Sequence, residues 1–309
     1  MTGPMRVLQV ITDTNRRGAQ VFAVDLGDAL RTAGHAVETV ALVPGTNREL
    51  LPVAVLGSSR FGLATMRALR GRSRDADVVI AHGSTTLPAC ALALTGSGTP
   101  FVYRQISDSL FWASSRLRRW RVRAGLHRAA AVVTLASRPG EVLTRHFGVP
   151  SSKITVVPNG VPGGPFTPAS PDRRAAAKAA LGVATDAPTA LYLGALVPEK
   201  GADVAIEAVG LLDDTVLVVV GDGPARPELE RLAARVLPDR SVFTGSIDDV
   251  SAVLAAADLV VFPSKGGDSM PATLIEAGFC ALPAVATPVG AIDEIIMDGV
   301  TGVLVDEAR

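Results

Sequence analysis

The chain has 309 residues, which is enough for two domains of ordinary size, each with its own hydrophobic core. Its thirty acidic and thirty basic residues cancel, which argues against a global charge suited to nucleic acid or to a strongly acidic substrate. A hydrophobic content of 48% with only 4% aromatic residues is typical of parallel strands covered by alanine-rich helices. We therefore predict an α/β protein.

The cysteines and the chain's apolar segments bear on its compartment. Cys90 and Cys280 both stand in apolar contexts, which fits a reducing environment and offers neither a disulfide framework nor a zinc cluster. The sequence contains no apolar run of about 18 residues and no signal-peptide pattern at its N-terminus. We expect a cytoplasmic protein that uses no metal and no bound cofactor.

Short β-branched runs alternate with helix-compatible segments in the first half. Helical spacing of apolar residues over 18–33 predicts a helix that ends at Gly34. A stretch rich in proline and glycine follows at 158–165, and we place the boundary between domains 1–160 and 161–309 there. The predicted strands before this boundary are 6–11, 36–43, 77–81, 100–104, 130–134 and 154–157.

The same alternation restarts after the boundary. The predicted strands of the second domain are 190–193, 216–220, 241–243, 259–262, 284–286 and 302–305. Two doubly wound parallel sheets joined by a hinge are expected to place a ligand cleft at the carboxyl ends of their strands.

A glycine-rich turn, SKGGDSMPATLIEAG at 264–278, follows the predicted strand 259–262. Gly267 and its neighbour allow backbone N–H groups to approach a ligand closely. Ser269 or a neighbour is expected to cap the next helix, with Pro271 in its first turn. The positive end of that helix suits a phosphate group.

Two carboxylates lie in the same stretch. Glu276, inside the predicted helix, can accept hydrogen bonds from a pair of vicinal hydroxyls such as those of a ribose. Asp268, at the loop tip, can meet hydroxyls at the other end of the same ligand. The alternative is a plain strand-to-helix turn with a capping acid and a solvated glutamate.

Further polar residues follow other predicted strands. Lys200 comes just after the first strand of the second domain, where it can neutralise a diphosphate. In the first domain, Gly18 opens the first helix and His82 ends a strand. Each residue taken singly is more often a surface charge or a turn residue, but together they fall at strand ends that are expected to face one cleft.

These motifs resemble those of the retaining glycosyltransferases of family 4, with the GT-B architecture of two Rossmann-like domains, and the resemblance covers essentially the whole chain. Asp268 and Glu276 stand at the spacing of the family's two acids, followed by a similar segment at 278–287. The segment 157–161, VPNGV, resembles the family's hinge.

The resemblance implies a role for each candidate residue. Glu276 is expected to bind the ribose, Lys200 the diphosphate, and Gly18 the donor phosphate from the first domain. The implied catalytic residues are Asp268, Lys200 and His82, and the implied donor-binding residues are Gly18, Gly267, Ser269, Met270, Pro271, Leu274, Glu276 and Ile247.

Three positions depart from the family pattern. Asp268 replaces the usual glutamate and retracts the carboxylate by ~1.5 Å, about one carbon–carbon bond. Ala195 stands where the family often has an arginine, which leaves Lys200 as the expected cation of this domain. The segment 101–108 lacks the histidine that the family frequently places there, and His82 is not a clear replacement.

The family implies transfer of a hexosyl unit from a nucleotide-sugar to an acceptor hydroxyl of a glycan or lipid-linked substrate, with retention at the anomeric carbon. In this mechanism the protein orients the reactants and stabilises charge on the departing phosphate. It requires no covalent nucleophile, and the sequence has no clustered His, Asp and Glu residues that indicate a metal.

An arginine-rich segment, WASSRLRRWRVRAGLHR at 112–128, has no acidic residue. Leu117, Trp120 and Ala124 recur there at helical spacing, which predicts a basic amphipathic helix. The pattern favours a packed helix with a solvated charged face over an interfacial helix that binds anionic lipid at the inner membrane face. Nucleic acid is disfavoured because no second basic patch or aromatic stacking motif accompanies it.

Two other functions are compatible with the same motifs. A nucleotide-sugar epimerase of GT-B architecture also binds a diphosphate and a ribose, and a non-catalytic nucleotide-sugar binding module needs no acceptor site. The sequence reaches Arg309 soon after the last predicted strand, where the family continues through further helices. This suggests a fragment that lacks C-terminal helices and turns over slowly.

Overall fold

The structure is a computed structural model that describes residues 3–46, 50–107, 109–161, 163–247 and 249–306. The chain divides into two compact units, Met1–Pro158 and Asn159–Arg309. The sequence placed this boundary after residue 160.

The first unit is built on one parallel sheet. Its strands lie in the order β3-β2-β1-β4-β5-β6-β7. They are β1 (Arg6–Asp13), β2 (Ala36–Val43), β3 (Ala54–Val55), β4 (Val78–His82), β5 (Phe101–Arg104), β6 (Ala131–Thr134) and β7 (Ile154–Val156). The helices are α1 (Gly18–Thr32), α2 (Leu63–Ser73), α3 (Thr86–Ala93), α4 (Ser109–Trp112), α5 (Arg116–Arg128) and α6 (Ser137–Phe147), with a 3₁₀ turn at Ser151–Lys153.

Both faces of this sheet are covered. Leu8 and Val10 belong to one buried cluster, whereas Ile11 packs in another cluster with Ala23 of α1. Successive side chains of a strand point to opposite faces, so the two clusters are cores on the two sides of the sheet.

The second unit repeats this plan with a sheet in the order β10-β9-β8-β11-β12-β13. Leu191 and Tyr192, neighbours on β8, again lie in different buried clusters. The strands are β8 (Thr189–Leu193), β9 (Val216–Val220), β10 (Ser241–Gly245), β11 (Leu259–Phe262), β12 (Ala284–Ala286) and β13 (Gly302–Leu304). The helices are α7 (Pro171–Ala180), α8 (Ala202–Gly210), α9 (Arg226–Val236), α10 (Val250–Ala256) and α11 (Ala272–Phe279), with 3₁₀ turns at Pro198–Lys200 and Ile292–Glu294.

The strand orders confirm the predicted fold class of two doubly wound, Rossmann-like parallel sheets. All strand pairs are parallel, so the carboxyl ends of the strands in each sheet lie at one edge. The order reverses beside the first strand of each sheet, between β1 and β4 and between β8 and β11. Ligands bind at such switch points, outside the carboxyl ends of the strands.

The arginine-rich segment differs from its prediction. The helix α5 begins only at Arg116, and Ser115 caps it by accepting a hydrogen bond from the Arg118 N–H at 3.3 Å. Leu117 is 64% exposed and Trp120 67% exposed, and Ala124 is exposed as well. The favoured packed-helix interpretation was therefore wrong for these three residues. The helix packs instead through its C-terminal half, where Gly125 and Leu126 are buried.

No helix within the described ranges combines the length and the apolar character that crossing a bilayer requires.

Candidate functional site

Two loops meet at the switch point of the second sheet, one after β8 and one after β11. Gly201, directly after the 3₁₀ turn that carries Lys200, has φ of 70°, and a Cβ there would lie 2.0 Å from the carbonyl oxygen of Pro263. Only glycine allows this approach. The Lys265 N–H donates to the Glu199 carbonyl oxygen at 2.8 Å and joins the two loops.

An ion pair forms where these loops touch. Lys200 Nζ contacts Asp268 Oδ1, and the Ser264 hydroxyl donates to Asp268 Oδ2 at 2.5 Å. The side chains of Lys200 and Asp268 are 25% and 13% exposed. The structure therefore brings together two residues that lie 68 positions apart in the sequence, and both oxygens of the carboxylate are occupied.

Buried hydroxyl groups surround this pair. Ser264 is 1% exposed, and its carbonyl oxygen accepts a hydrogen bond from the Thr287 hydroxyl after β12. The Tyr192 hydroxyl, at the end of β8, donates to the Ala195 carbonyl oxygen at 3.1 Å. Burial, and then the negative charge of Asp268, raise the pKa of Tyr192. Sequence reasoning missed Ser264 and Tyr192, whose only signal was their position at the ends of two strands.

The glycine-rich loop continues from Asp268 towards α11. Gly267 has φ of 81°, a conformation that favours glycine. Ser269 is 3% exposed, and its hydroxyl has no hydrogen-bond partner among the described residues. The Ala291 N–H donates to the Ser269 carbonyl oxygen at 2.8 Å, so the loop after β12 fixes this backbone.

The predicted helix cap is wrong. The N-terminal capping residue of α11 is Pro271, with φ of −69° and ψ of 127°, and no side chain accepts a hydrogen bond from the first turn. Pro271 thus stands just outside the helix rather than in its first turn. Ser269 does not cap the helix, since its hydroxyl has no hydrogen-bond partner among the described residues.

Asn159 anchors the same loop from the start of the second unit. Its side-chain Nδ2 donates to the Met270 carbonyl oxygen at 2.6 Å, and its backbone N–H lies 3.2 Å from the Met270 Sδ. Met270 is itself buried, at 7% exposure. The sequence indicated only a hinge at Asn159 and gave no sign of this contact, which spans 111 positions.

The other predicted donor-binding residues of this unit differ in burial. Glu276 is partly buried on α11. Leu274 is 1% exposed and packs in the hydrophobic core, so its side chain is not accessible to a ligand. Ile247 is partly buried and packs against the same core.

His82 lies at the switch point of the first sheet, at the end of β4. It is 2% exposed, and its Nε2 is 2.9 Å from Gln9 Oε1 on the neighbouring β1. Because the Gln9 amide nitrogen donates to the Ala23 carbonyl oxygen at 2.7 Å, the Gln9 oxygen accepts and His82 Nε2 carries the proton. His82 Nδ1 has no hydrogen-bond partner in the described part of the chain.

The imidazole of His82 is neutral. Burial, and then the positive charge of Arg104, lower the pKa of His82 to about 3. Arg104 is 5% exposed, lies over the Phe22 ring at 3.6 Å from its centroid, and has a pKa lowered to about 10 by burial. His82 is therefore enclosed by polar residues of the sheet edge and is not open to solvent.

Gly18 is the first residue of α1, the helix that follows β1 of the same sheet. It is exposed, and nothing lies within 4 Å of the position that a Cβ would take. The predicted residues thus form two groups, one at the switch point of each sheet. In the described ranges, no cluster of three or more His, Cys, Asp or Glu side chains is arranged to hold a metal ion.

Family models match both units. The model for Glycosyltransferase Family 4 matches residues 16–162, and the model for Glycosyl transferases group 1 matches residues 187–309. The chain belongs to the glycosyltransferase family that these two models describe.

Individual relatives agree with this assignment. An alpha-D-kanosaminyltransferase from Streptomyces kanamyceticus is 33% identical over 199 residues, which are 62% of this chain and 51% of the relative. A D-inositol 3-phosphate glycosyltransferase from Streptomyces avermitilis is 30% identical over 303 residues, 93% of this chain and 59% of the relative. The chain spans between about half and three fifths of the length of these relatives.

Solved structures share the fold. The Anabaena protein HepE, crystallised in complex with UDP and glucose, superposes with a TM-score of 0.87 at 21% identity, over 99% of this chain and 86% of HepE.

Proposed function

We propose that this chain is a retaining glycosyltransferase that moves a hexosyl unit from a nucleotide-diphosphate sugar to an acceptor hydroxyl. The observation that carries the proposal is the meeting of Lys200 and Asp268 at the switch point of the second sheet. A cation, a carboxylate and a glycine-rich backbone meet at this edge. The cation can neutralise the diphosphate of such a donor, the carboxylate can accept hydrogen bonds from its hydroxyls, and the backbone N–H groups can approach its phosphates closely.

In this proposal each residue meets one part of the donor. Lys200 neutralises the diphosphate, and the backbone of 267–270 lies along it. Glu276 accepts hydrogen bonds from the ribose hydroxyls, and Asp268 accepts them from the sugar. The buried hydroxyl of Ser269, which lacks a partner among the described residues, is a further candidate contact.

The chemistry that these groups can support is stabilisation of a departing phosphate. Negative charge develops on the diphosphate as the bond to the anomeric carbon breaks, and Lys200 is the fixed positive group beside it. The acceptor hydroxyl attacks from the face that the diphosphate leaves, which retains the configuration. We propose no divalent metal in this step.

The first unit supplies support in the proposal. Gly18, exposed at the N-terminus of α1, is a candidate phosphate contact of the first unit by itself. His82 is hydrogen-bonded to Gln9, which is itself fully buried, and in the proposal this pair supports the edge of the first sheet. In the proposal the acceptor is a glycan or a lipid-linked substrate.

A donor panel followed by product analysis tests the proposal. A specific donor raises the melting temperature by mass action, so UDP-, GDP- and ADP-sugars are screened by thermal shift against wild type and Glu276→Ala. We expect one nucleotide class to stabilise the wild type only. NMR of the product should then show sugar joined to the acceptor with the anomeric configuration of the donor. An isomerised free donor would indicate an epimerase, and tight binding without transfer to any acceptor would indicate a binding module.

We also propose that α5 contacts an anionic membrane surface. The supporting observation is the exposure of Leu117 and Trp120 on a helix whose other side chains include six arginines between 116 and 128. Apolar and aromatic side chains among arginines on an exposed helix are typical of interfacial helices. The proposed contact would bring the enzyme close to a lipid-linked acceptor.

Vesicle sedimentation tests this contact. The wild type should pellet with vesicles that contain phosphatidylglycerol and not with phosphatidylcholine alone, and salt should weaken the binding. The double variant Leu117→Ser, Trp120→Ser should lose most of it. Leu211→Ser, which changes a leucine that is 87% exposed in the second unit, is the matched control. Equal sedimentation of both variants would refute the contact.

A further inference from the structure

The ion pair between Lys200 and Asp268 occupies both groups before any ligand arrives. Asp268 Oδ1 contacts Lys200, and Asp268 Oδ2 accepts the hydrogen bond from Ser264 at 2.5 Å. A diphosphate that takes Lys200 must therefore compete with a carboxylate that is already in place. This competition has different consequences for a nucleotide-sugar and for a free nucleoside diphosphate.

We infer that Asp268 determines specificity by making the site favour an intact nucleotide-sugar over the free nucleoside diphosphate. The inference rests on the proposed function. When a free diphosphate binds Lys200, the Asp268 carboxylate loses its cation and stays beside new negative charge. A nucleotide-sugar brings hydroxyl groups that donate to the same carboxylate, so the lost partner is replaced.

Partial burial makes this competition strong enough to matter. Lys200 and Asp268 are 25% and 13% exposed, so water screens their interaction only in part. The neighbouring pair between Lys265 and Asp203 has a distance of 2.6 Å, but its side chains are 39% and 44% exposed. Exposed pairs of this kind contribute little, which makes Asp203 a control for a general change of charge at the same edge.

The hydrogen bond from Ser264 holds the Asp268 carboxylate in place beside Lys200. Ser264 is 1% exposed, and its hydroxyl also lies 3.3 Å from the Glu199 carbonyl oxygen and 3.2 Å from that of Gly266. Asp268 cannot turn away from an incoming phosphate without giving up this buried donor. The arrangement therefore weakens binding of the diphosphate product, which promotes its release after transfer.

Calorimetric titration of the full chain tests the inference with defined probes. UDP and UDP-glucose are titrated into wild type, Asp268→Asn and Asp203→Asn, and the series is repeated with the guanosine and adenosine pairs. We expect Asp268→Asn to bind the free diphosphate about tenfold more tightly than wild type, or ~1.4 kcal/mol, without a matching gain for the nucleotide-sugar. Asp203→Asn should shift both ligands by the same small factor.

Repeating the Asp268→Asn substitution in the Lys200→Met variant tests whether the effect depends on the ion pair. In Lys200→Met the gain from Asp268→Asn should be clearly smaller, because no cation remains to be released and only the repulsion between the carboxylate and the phosphate is relieved. If Asp268→Asn does not fold, Ser264→Ala replaces it. This variant frees one carboxylate oxygen and should raise the affinity for the free diphosphate about threefold.

The outcomes separate this inference from the proposed function. A folded wild type that binds none of the diphosphates or nucleotide-sugars overturns both. A wild type that binds them, with no tighter diphosphate binding in Asp268→Asn or Ser264→Ala, overturns the inference alone. So does a gain that Asp203→Asn equals, or one that is undiminished in Lys200→Met.

Discussion

Gly201 determines how closely the two loops of the site approach, and its replacement by alanine has a calculable effect. Gly182, in the same unit, has the same φ of 70°, but nothing lies within 4 Å of its Cβ position. At Gly182 an alanine pays only for the left-handed conformation, ~1–2 kcal/mol, less ~0.4–1 kcal/mol from the stiffer unfolded chain. Gly182→Ala should therefore destabilise the second unit by about 1 kcal/mol.

Gly201→Ala adds a steric conflict to this cost. The new Cβ would lie 2.0 Å from the Pro263 carbonyl oxygen, a distance that real Cβ atoms do not show. The loops must separate, and overpacking of this kind costs ~1–3 kcal/mol. The middle of that range, about 2 kcal/mol, corresponds to a melting temperature about 4–8 °C below that of Gly182→Ala for a unit of this size.

Thermal unfolding of both variants, followed by circular dichroism, measures the difference. Separation of the loops should also move Lys200 away from Asp268, so Gly201→Ala should bind nucleotide more weakly while Gly182→Ala binds as wild type does. Equal melting temperatures for the two variants would refute the close approach of the loops.

Three further predictions concern pH, the loop anchor and metal. The pKa of His82 is lowered from 6.5 to about 3, so between these values the unfolded chain binds a proton that the folded chain does not. The free energy of unfolding is therefore unaffected by His82 above pH 6.5 and decreases below it, by up to ~1.4 kcal/mol for each pH unit. The melting temperature of His82→Gln should accordingly depend less on pH than that of His146→Gln, a control at an exposed histidine. Asn159→Ala should weaken donor binding by about tenfold, since loss of the bond to the buried Met270 backbone costs roughly 1–2 kcal/mol, and an unchanged dissociation constant would show that other contacts hold the loop. Transfer activity should survive EDTA, and loss that Mg²⁺ or Mn²⁺ restores would contradict the proposed use of Lys200.

The fold class was predictable from the apolar runs that form the parallel strands. Runs such as 216–220 and 259–262 are rich in valine and leucine and were predicted with the bounds that the structure gives. The strand β3 was missed because Ala54–Val55 is only two residues long and both are exposed, so it has neither the length nor the pattern of a strand.

Helix faces were less predictable than strands. The spacing of Leu117, Trp120 and Ala124 suits a buried stripe, but all three are exposed. Periodicity shows that apolar residues share a face of a helix, and it does not show whether another element covers that face.

The position of Lys200 and Asp268 at one edge of the second sheet was predictable, because the strands of a doubly wound sheet all end at the same edge. Lys200 and Asp268 followed from that rule and from the resemblance to the family. Ser264 and Asn159 did not, because their hydrogen bonds depend on loop conformations that local patterns do not encode. The failed cap at Ser269 has the same cause, since the extended Pro271 separates it from the helix.

Hydrogen exchange of the backbone, measured by mass spectrometry with and without the nucleotide-sugar that binds best, tests the central claim most directly. If the donor lies on Lys200, Asp268 and the loop between Asp268 and α11, peptides covering 195–201 and 264–276 should exchange more slowly in its presence. Peptides at the opposite edge of the second sheet, such as 211–216, should not change. Protection confined to other segments, with 195–201 and 264–276 unaffected by a saturating donor, would contradict the account.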